Sequence, residues 1–451
     1  MGRFDDIIAA IPEYSRFPSI AEIEAVTDEM AEWPGVSVWT PGHSRAGRPI
    51  RCVEVGDGPR RVLLVGFPHP EEPVGALTLD HLLRLAAETD LTERLGIRLC
   101  VIRVADRDAA LLNEVWFETP CDLEAYVAGA YRPPWLEQVE WTYPARYKDY
   151  VFDAPIPETR AVMAAIASAP LDFTSSLHNA CFGGTFFYAS DAGPRLVAEL
   201  VDLVRAAGLP LHLGEPEAPF VPTLGPGIYR EGGLAEEYDY YVSVGEDPLQ
   251  NMIAGTGHSA YSRAVWPQCA SLMSEVPSFT SSSMSDLSPA GMTRGEVQRE
   301  GMAAVRGHVD WLASKLEDVG ESCTQDTPWR RTVEGYIVDT RHLLGAQEKW
   351  LATEEASAAQ EATVAQMVDY RCLREMYALF KLGQFARAMD AEPRPAAVVQ
   401  ASAEAARARL HERLSVIVAA TGLYPVPLRT RVQVQLGTIL AGLQETIVLG
   451  S

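Results

Sequence analysis

The feature that most constrains this chain is a change of texture near residue 293. Before it, short apolar runs alternate with amphipathic stretches; after it, nearly every segment follows helical spacing. Strands are expected at 61–66 (RVLLVG), 97–105, 172–177, 209–213 and 269–276. Between them, 76–87 and 158–167 carry helical spacing, the second behind Pro157, a residue suited to the first helical position. Strands separated by helices cannot pair as tight hairpins, so the alternation predicts a layered α/β fold with a largely parallel or mixed sheet. Further on, Val305, Val309, Leu312, Leu316 and Val319 repeat at helical intervals, as do Leu410, Leu414, Ile417 and Val418. A chain of 451 residues is also too long for one ordinary core. The expected division is a layered domain over 1–293 and an all-helical domain over 294–451.

Two stretches stand apart. Section 113–153 is rich in aromatics and prolines (WFETP, YRPPWLEQVEWTYP), the composition of loops that shape a site. A Ser-rich segment, 278–288, closes the first region.

Charge excludes some partners. The chain has 61 acidic residues against 38 basic ones, a net charge of −23. Such a field repels nucleic acid and anionic membranes, and no basic cluster interrupts it. No stretch approaches about 18 uninterrupted apolar residues, so no membrane span is expected. Asp5 and Asp6 stand where a secretory signal carries positive charge. The seven cysteines are scattered and form no CxxC pair. They read as reduced thiols, and the expected compartment is the cytoplasm.

Three segments could carry chemistry. His69 and Glu72 form an HxxE pair in GFPHPEEPVG, directly after the first strongly apolar strand. A loop at a strand's carboxyl end can turn an imidazole and a carboxylate toward one point, as a zinc site requires. His178 follows another apolar run in SLHNACFGG. Two histidines and a carboxylate leave a coordination position open, and zinc held so lowers the pKa of water to about 7. Glu275 sits in the apolar middle of CASLMSEVPSF, where a carboxylate is costly to bury unless it is paired or used. The use would be general base catalysis. His212 and Glu215 form a second HxxE, but no further histidine follows in a comparable setting. HExxH is absent.

Taken together, these segments resemble the zinc carboxypeptidases, the carboxypeptidase A-like metallopeptidases. The resemblance spans roughly residues 10 to 280 and includes GHSRAGRPI, HPEEPVG, PETRA at Pro157, the LH-x4-GG segment and the strand with Glu275. Ser259 precedes Glu275 at the interval of the family's Gly-Ser-x-Asp-Trp serine. The resemblance implies an α/β/α sandwich around a mixed sheet. It also implies zinc (Zn2+) held by His69, Glu72 and His178, with Glu275 as the catalytic carboxylate.

The substrate apparatus departs from that family. Its Asn-Arg pair, which receives a peptide's terminal carboxylate, is matched by Tyr131–Arg132, so only the arginine remains, and Arg132 is the expected carboxylate anchor. Phe117 lies near the place of the carbonyl-polarising arginine, and Ile253 near that of the mobile tyrosine. The aspartate that orients the first histidine ligand has no counterpart around Gly129.

The expected enzyme is a metallocarboxypeptidase-like zinc hydrolase that cleaves an amide at the carboxyl end of a peptide or acyl-amino acid. The alternatives are a deacylase or amidase of a small biosynthetic molecule, and a metal-binding pseudoenzyme whose helical domain mediates assembly. The helical domain is equally suited to capping the site, to partner binding or to homo-oligomer formation.

Overall fold

The computed structural model describes residues 4–448. A nine-stranded mixed sheet lies at its centre. Its strands are β1 (Val36–His43), β2 (Pro49–Val55), β3 (Arg60–Gly66), β4 (Ile97–Ile102), β5 (Phe173–Leu177), β6 (Phe186–Ala189), β7 (Thr223–Gly225), β8 (Ile228–Arg230) and β9 (Ala270–Glu275). Across the sheet they run β1-β2-β4-β3-β5-β9-β6-β8-β7. The middle four, β4, β3, β5 and β9, are parallel. Antiparallel pairs join β1 to β2, β2 to β4, β9 to β6 and β8 to β7.

β3 shows how the sequence builds layers. Val62 and Leu64 point into the larger core with Ile20 and Ile23 of α1 (Ile20–Met30) and Leu79, Leu82 and Leu83 of α2 (Val74–Glu88). Leu63 and Val65 point the other way, onto Val162, Ala165 and Ile166 of α3 (Pro157–Ala167), which begins on Pro157 as expected. Neighbouring strand residues face opposite sides, so a strand covered on both faces must be apolar throughout.

The strands expected at 61–66, 172–177 and 269–276 appear as β3, β5 and β9, and that at 97–105 as the shorter β4. The strand expected at 209–213 does not form. Leu211 makes a single bridge to Thr185, because Pro210 lacks the N–H a ladder needs and Gly214 and Pro216 break the run. β1, β2 and β6 lie outside the apolar runs. β1, at the sheet edge, carries exposed polar positions, and β2 beside it carries the half-exposed Arg51 and Glu54.

Beyond residue 293 the chain is mostly helical. α4 (Arg294–Val319), α5 (Pro328–Thr353), α6 (Arg374–Asp390) and α7 (Ala397–Thr421) pack together through Val309, Leu312, Leu379, Phe385 and Leu410. The next helix, α8 (Leu428–Leu443), leaves that group and lies on the face of the sheet, against α2, β5 and β9. A Cβ at Gly442 would stand 2.7 Å from ring atoms of Phe173, so glycine permits this close approach of helix and strand. The Ser-rich segment is also tied down. Phe279–Thr280 pairs with Tyr424–Pro425, and the Ser281 hydroxyl donates to the Thr421 carbonyl at 2.6 Å. All seven cysteines are free thiols. Among the described residues no helix is long and apolar enough to cross a membrane.

Candidate metal centre

Register brings the candidate ligands together. β3 and β5 pair in parallel with Gly66 opposite Leu177. His178 follows Leu177 directly, and His69 lies three residues past Gly66. The chain leaves β3 through Phe67, a buried residue at φ 50°. The left-handed region costs a non-glycine residue about 1–2 kcal/mol, which the surrounding packing must sustain. The Glu72 N–H then donates to the His69 carbonyl at 3.2 Å, closing the loop just before α2. β9, the neighbour of β5 on its other side, ends at Glu275.

The result is a compact, buried donor set. One ligand atom from each of His69, Glu72 and His178 lies within 4.8 Å of the others, and the two imidazole centroids are 5.1 Å apart. Nδ1 of His178 stands 2.9 Å from Glu72 Oε2 and 3.8 Å from Glu275 Oε1. Its Nε2 faces the other way, 3.0 Å from Ser176 Oγ and 3.7 Å from Glu140 Oε2. The Asn179 N–H also donates to Glu72 Oε2, at 3.3 Å.

Electrostatics here are dominated by burial and charge pairing. Burial, with the Arg132 and His178 charges, holds His69 neutral, well below the usual imidazole range. Burial alone would depress His178 too, but Glu72, Glu140 and Glu275 outweigh it and raise it well above that range. Burial, then the Glu72 charge, pushes the Glu275 carboxyl well above the ordinary value.

These residues fit a metal ion. Nδ1 of His69 is buried without a hydrogen-bond partner, and an orphaned polar atom in a native core calls for an explanation. Two imidazoles and one carboxylate form a zinc-type donor set, with Ser176 and Glu140 fixing the far side of one imidazole as outer partners do.

No family model matches the chain, and no curated protein matches it. Among solved structures, the chain is similar to a candidate metallopeptidase from Shewanella amazonensis: 14% identity, 57% of this chain and 84% of that one covered, TM-score 0.39. It is similar to a metallo-carboxypeptidase from Burkholderia cenocepacia at 16% identity, over 58% of this chain and 60% of that one, with a TM-score of 0.34. The carboxypeptidase A of Helicoverpa armigera is similar at 14% identity, over 61% and 70%, with a TM-score of 0.33.

Arg132 lies beside the donor set. Its Nη2 is 2.7 Å from Glu72 Oε1, and its Nε forms a close ion pair with Glu71. Burial disfavours the Arg132 charge, but the two carboxylates outweigh it and hold the guanidinium charged. Burial pushes Glu71 up to about 7. The other HxxE pair is engaged elsewhere: His212 Nε2 stands 3.2 Å from the Glu215 carbonyl, and Glu215 accepts from Arg294 at 2.6 Å.

Sequence reasoning missed three participants. Glu140 is 5% exposed, and its signal was an acid set among aromatics in LEQVEWTYP. Glu71 lay hidden beside Glu72. Gln435, whose side-chain nitrogen donates to the His178 carbonyl at 2.9 Å, sits 257 residues away on α8.

Proposed function

We propose that this chain is a metal-dependent hydrolase that cleaves an amide bond, with zinc held by His69, Glu72 and His178. The observation carrying this reading is the buried donor set within 4.8 Å, with Glu275 beside it. When bound there, zinc would supply Lewis-acid activation of a carbonyl and of water.

The chain's own residues supply the rest. Glu275 holds a proton more readily than an ordinary carboxylate because it is buried near Glu72. A group so placed can take a proton from attacking water and pass it to the departing nitrogen. Ser176 and Glu140 orient His178 through Nε2. Arg132 balances the charges of Glu71 and Glu72 and so fixes the Glu72 carboxylate.

The ion pairing of Arg132 also bears on the substrate. An arginine that grips a terminal carboxylate needs an uncommitted guanidinium, whereas this one is already shared by two carboxylates. That favours a small amide, with no obligatory free carboxylate, over the carboxyl end of a peptide. The helices of 294–421 serve the same site as its roof.

The test is zinc content together with hydrolysis of a panel of acyl-amino acids, dipeptides and simple amides, with and without a chelator. The reading requires stoichiometric zinc and chelator-sensitive turnover. A metal-free protein, or turnover indifferent to the chelator, would sink it.

A further inference from the structure

A cavity of about 350 Å3 lies between the end of the sheet and the helical roof, with Arg132, Phe186 and Glu217 on one side and Leu344, Arg374 and Tyr377 on the other. Arg132 belongs both to this cavity and to the donor set. Phe186 is the register partner of Glu275 across the β6–β9 ladder. Glu217 lies within electrostatic range of Glu275, His178 and Tyr377. The cavity is therefore contiguous with the candidate centre, and helices α4, α5 and α6 wall it off from the far side.

Most of the charged groups along this wall are held in ion pairs. Arg132 is matched by Glu71 and Glu72. Glu215 is matched by Arg294 and by the side chain of Gln366. Asp369 stands 3.8 Å from His212 and accepts from the Glu215 N–H, and Arg374 stacks over Tyr370 within range of the same carboxylate. Glu217 forms no ion pair among the described residues, although Arg132 and His212 lie within electrostatic range of it. It is exposed, and the Tyr188 hydroxyl donates to it at 3.1 Å. Among the described residues no lysine or arginine pairs with it. A carboxylate without a direct ion pair, beside an apolar cavity wall, selects for a positive charge.

We infer that this cavity receives a cationic group of the substrate, an ammonium or a guanidinium, on Glu217, with the Tyr188 phenol fixing the carboxylate's orientation. The apolar wall of Phe186, Leu344 and Tyr377 then takes the alkyl stem that carries the charge. This rests on the hydrolase reading above and adds to it the sign of the substrate.

The experiment is binding, so that it does not depend on turnover. Calorimetry on the zinc-loaded full chain compares two pairs of small amides that lack a free carboxylate. One pair is acetyl-arginine methylamide and its neutral isostere acetyl-citrulline methylamide; the other is the lysine and norleucine equivalents. The wild type should bind at least one cationic member roughly 10- to 100-fold tighter than its neutral partner, the range of one charge-assisted hydrogen bond. Glu217→Gln should remove that preference while leaving the neutral compounds unchanged, and Tyr188→Phe should reduce it in part. Equal binding within both pairs, equal weakening of both members by Glu217→Gln, or no binding by any of the four overturns the inference. A protein that binds the cation but hydrolyses nothing leaves it standing and removes the hydrolase reading. One that hydrolyses amides without regard to charge does the reverse.

Discussion

The side-chain nitrogen of Gln435 donates to the His178 carbonyl at 2.9 Å, while its oxygen accepts from the Thr78 hydroxyl at 2.7 Å. One buried amide on α8 thus joins the helix behind the His69 loop to the strand end that carries His178. Outer groups that orient metal ligands typically contribute 10- to 100-fold in metal affinity. Gln435→Leu, close in volume and unable to bridge, should weaken zinc binding by about that factor in a chelator competition. Zinc affinity unchanged beside a lowered Tm would reduce Gln435 to a packing residue.

His69→Ala and His178→Ala should each lose zinc on elemental analysis. His212→Ala should keep it, because His212 is occupied by the Glu215 carbonyl. Zinc lost from the His212 variant alone would place the centre elsewhere.

Glu275→Gln preserves shape and removes the base. Zinc content should stay at the wild-type level while turnover falls by about 10²–10⁴-fold, the usual contribution of general acid–base assistance. Undiminished turnover would strip Glu275 of its role.

Arg132→Ala leaves Glu71 and Glu72 buried without their shared cation. Removing one partner of a buried pair typically costs about 3–5 kcal/mol. A free-acid substrate and its amide analogue should therefore lose turnover alike, and zinc should bind more weakly. Selective loss on the free acid would restore Arg132 as a carboxylate anchor.

Outside the donor set, Glu375 accepts from Arg413 at 2.7 and 2.9 Å and stands 2.8 Å from His308 Nε2. Burial works against its charge, but these partners prevail and hold its carboxyl down to about 2. A depressed carboxyl stabilises the fold above its unfolded value, about 4.3 for glutamate, and loses that stabilisation as the pH falls toward 2. Glu375→Gln should lower Tm at pH 7, and the gap to wild type should close between about pH 4.3 and 2. A gap independent of pH would mean that the loss is one of packing.

The sheet and the grouping of the candidate ligands were legible because each candidate sits at the end of an apolar run, where local pattern and chemistry coincide. His69, Glu72, His178 and Glu275 needed only the expectation that parallel strands end together. The pairing of Arg132 was not legible, since nothing local says which carboxylates will meet an arginine 60 residues on. Nor was the roof: helical spacing in 294–421 marks an apolar face but not the neighbour it covers. α8 did leave a trace. The stretch VQVQLGTILAGL is apolar all round except for a few polar residues, and a polar residue buried on such a helix must find a partner.

The boundary at 293 can be tested by truncation. If 294–451 were separable, a chain ending there would remain soluble and bind zinc. Because α8 covers β5 and β9 and carries Gln435, we expect such a chain to aggregate and to bind no metal.

Arg431 lies wholly buried on the same helix and has no acidic partner among the described residues. Its guanidinium donates to the carbonyls of Val426, Ser278 and Pro120. During synthesis, the strands bearing His69, His178 and Glu275 emerge long before the residues that fasten them. Until 428–443 have been made, the carbonyls of Pro120, His178 and Ser278 lack these donors, and one face of β5 lies open. On the proposed reading, the nascent chain carries every candidate ligand yet has no finished site, and metal capture would belong to the end of its maturation.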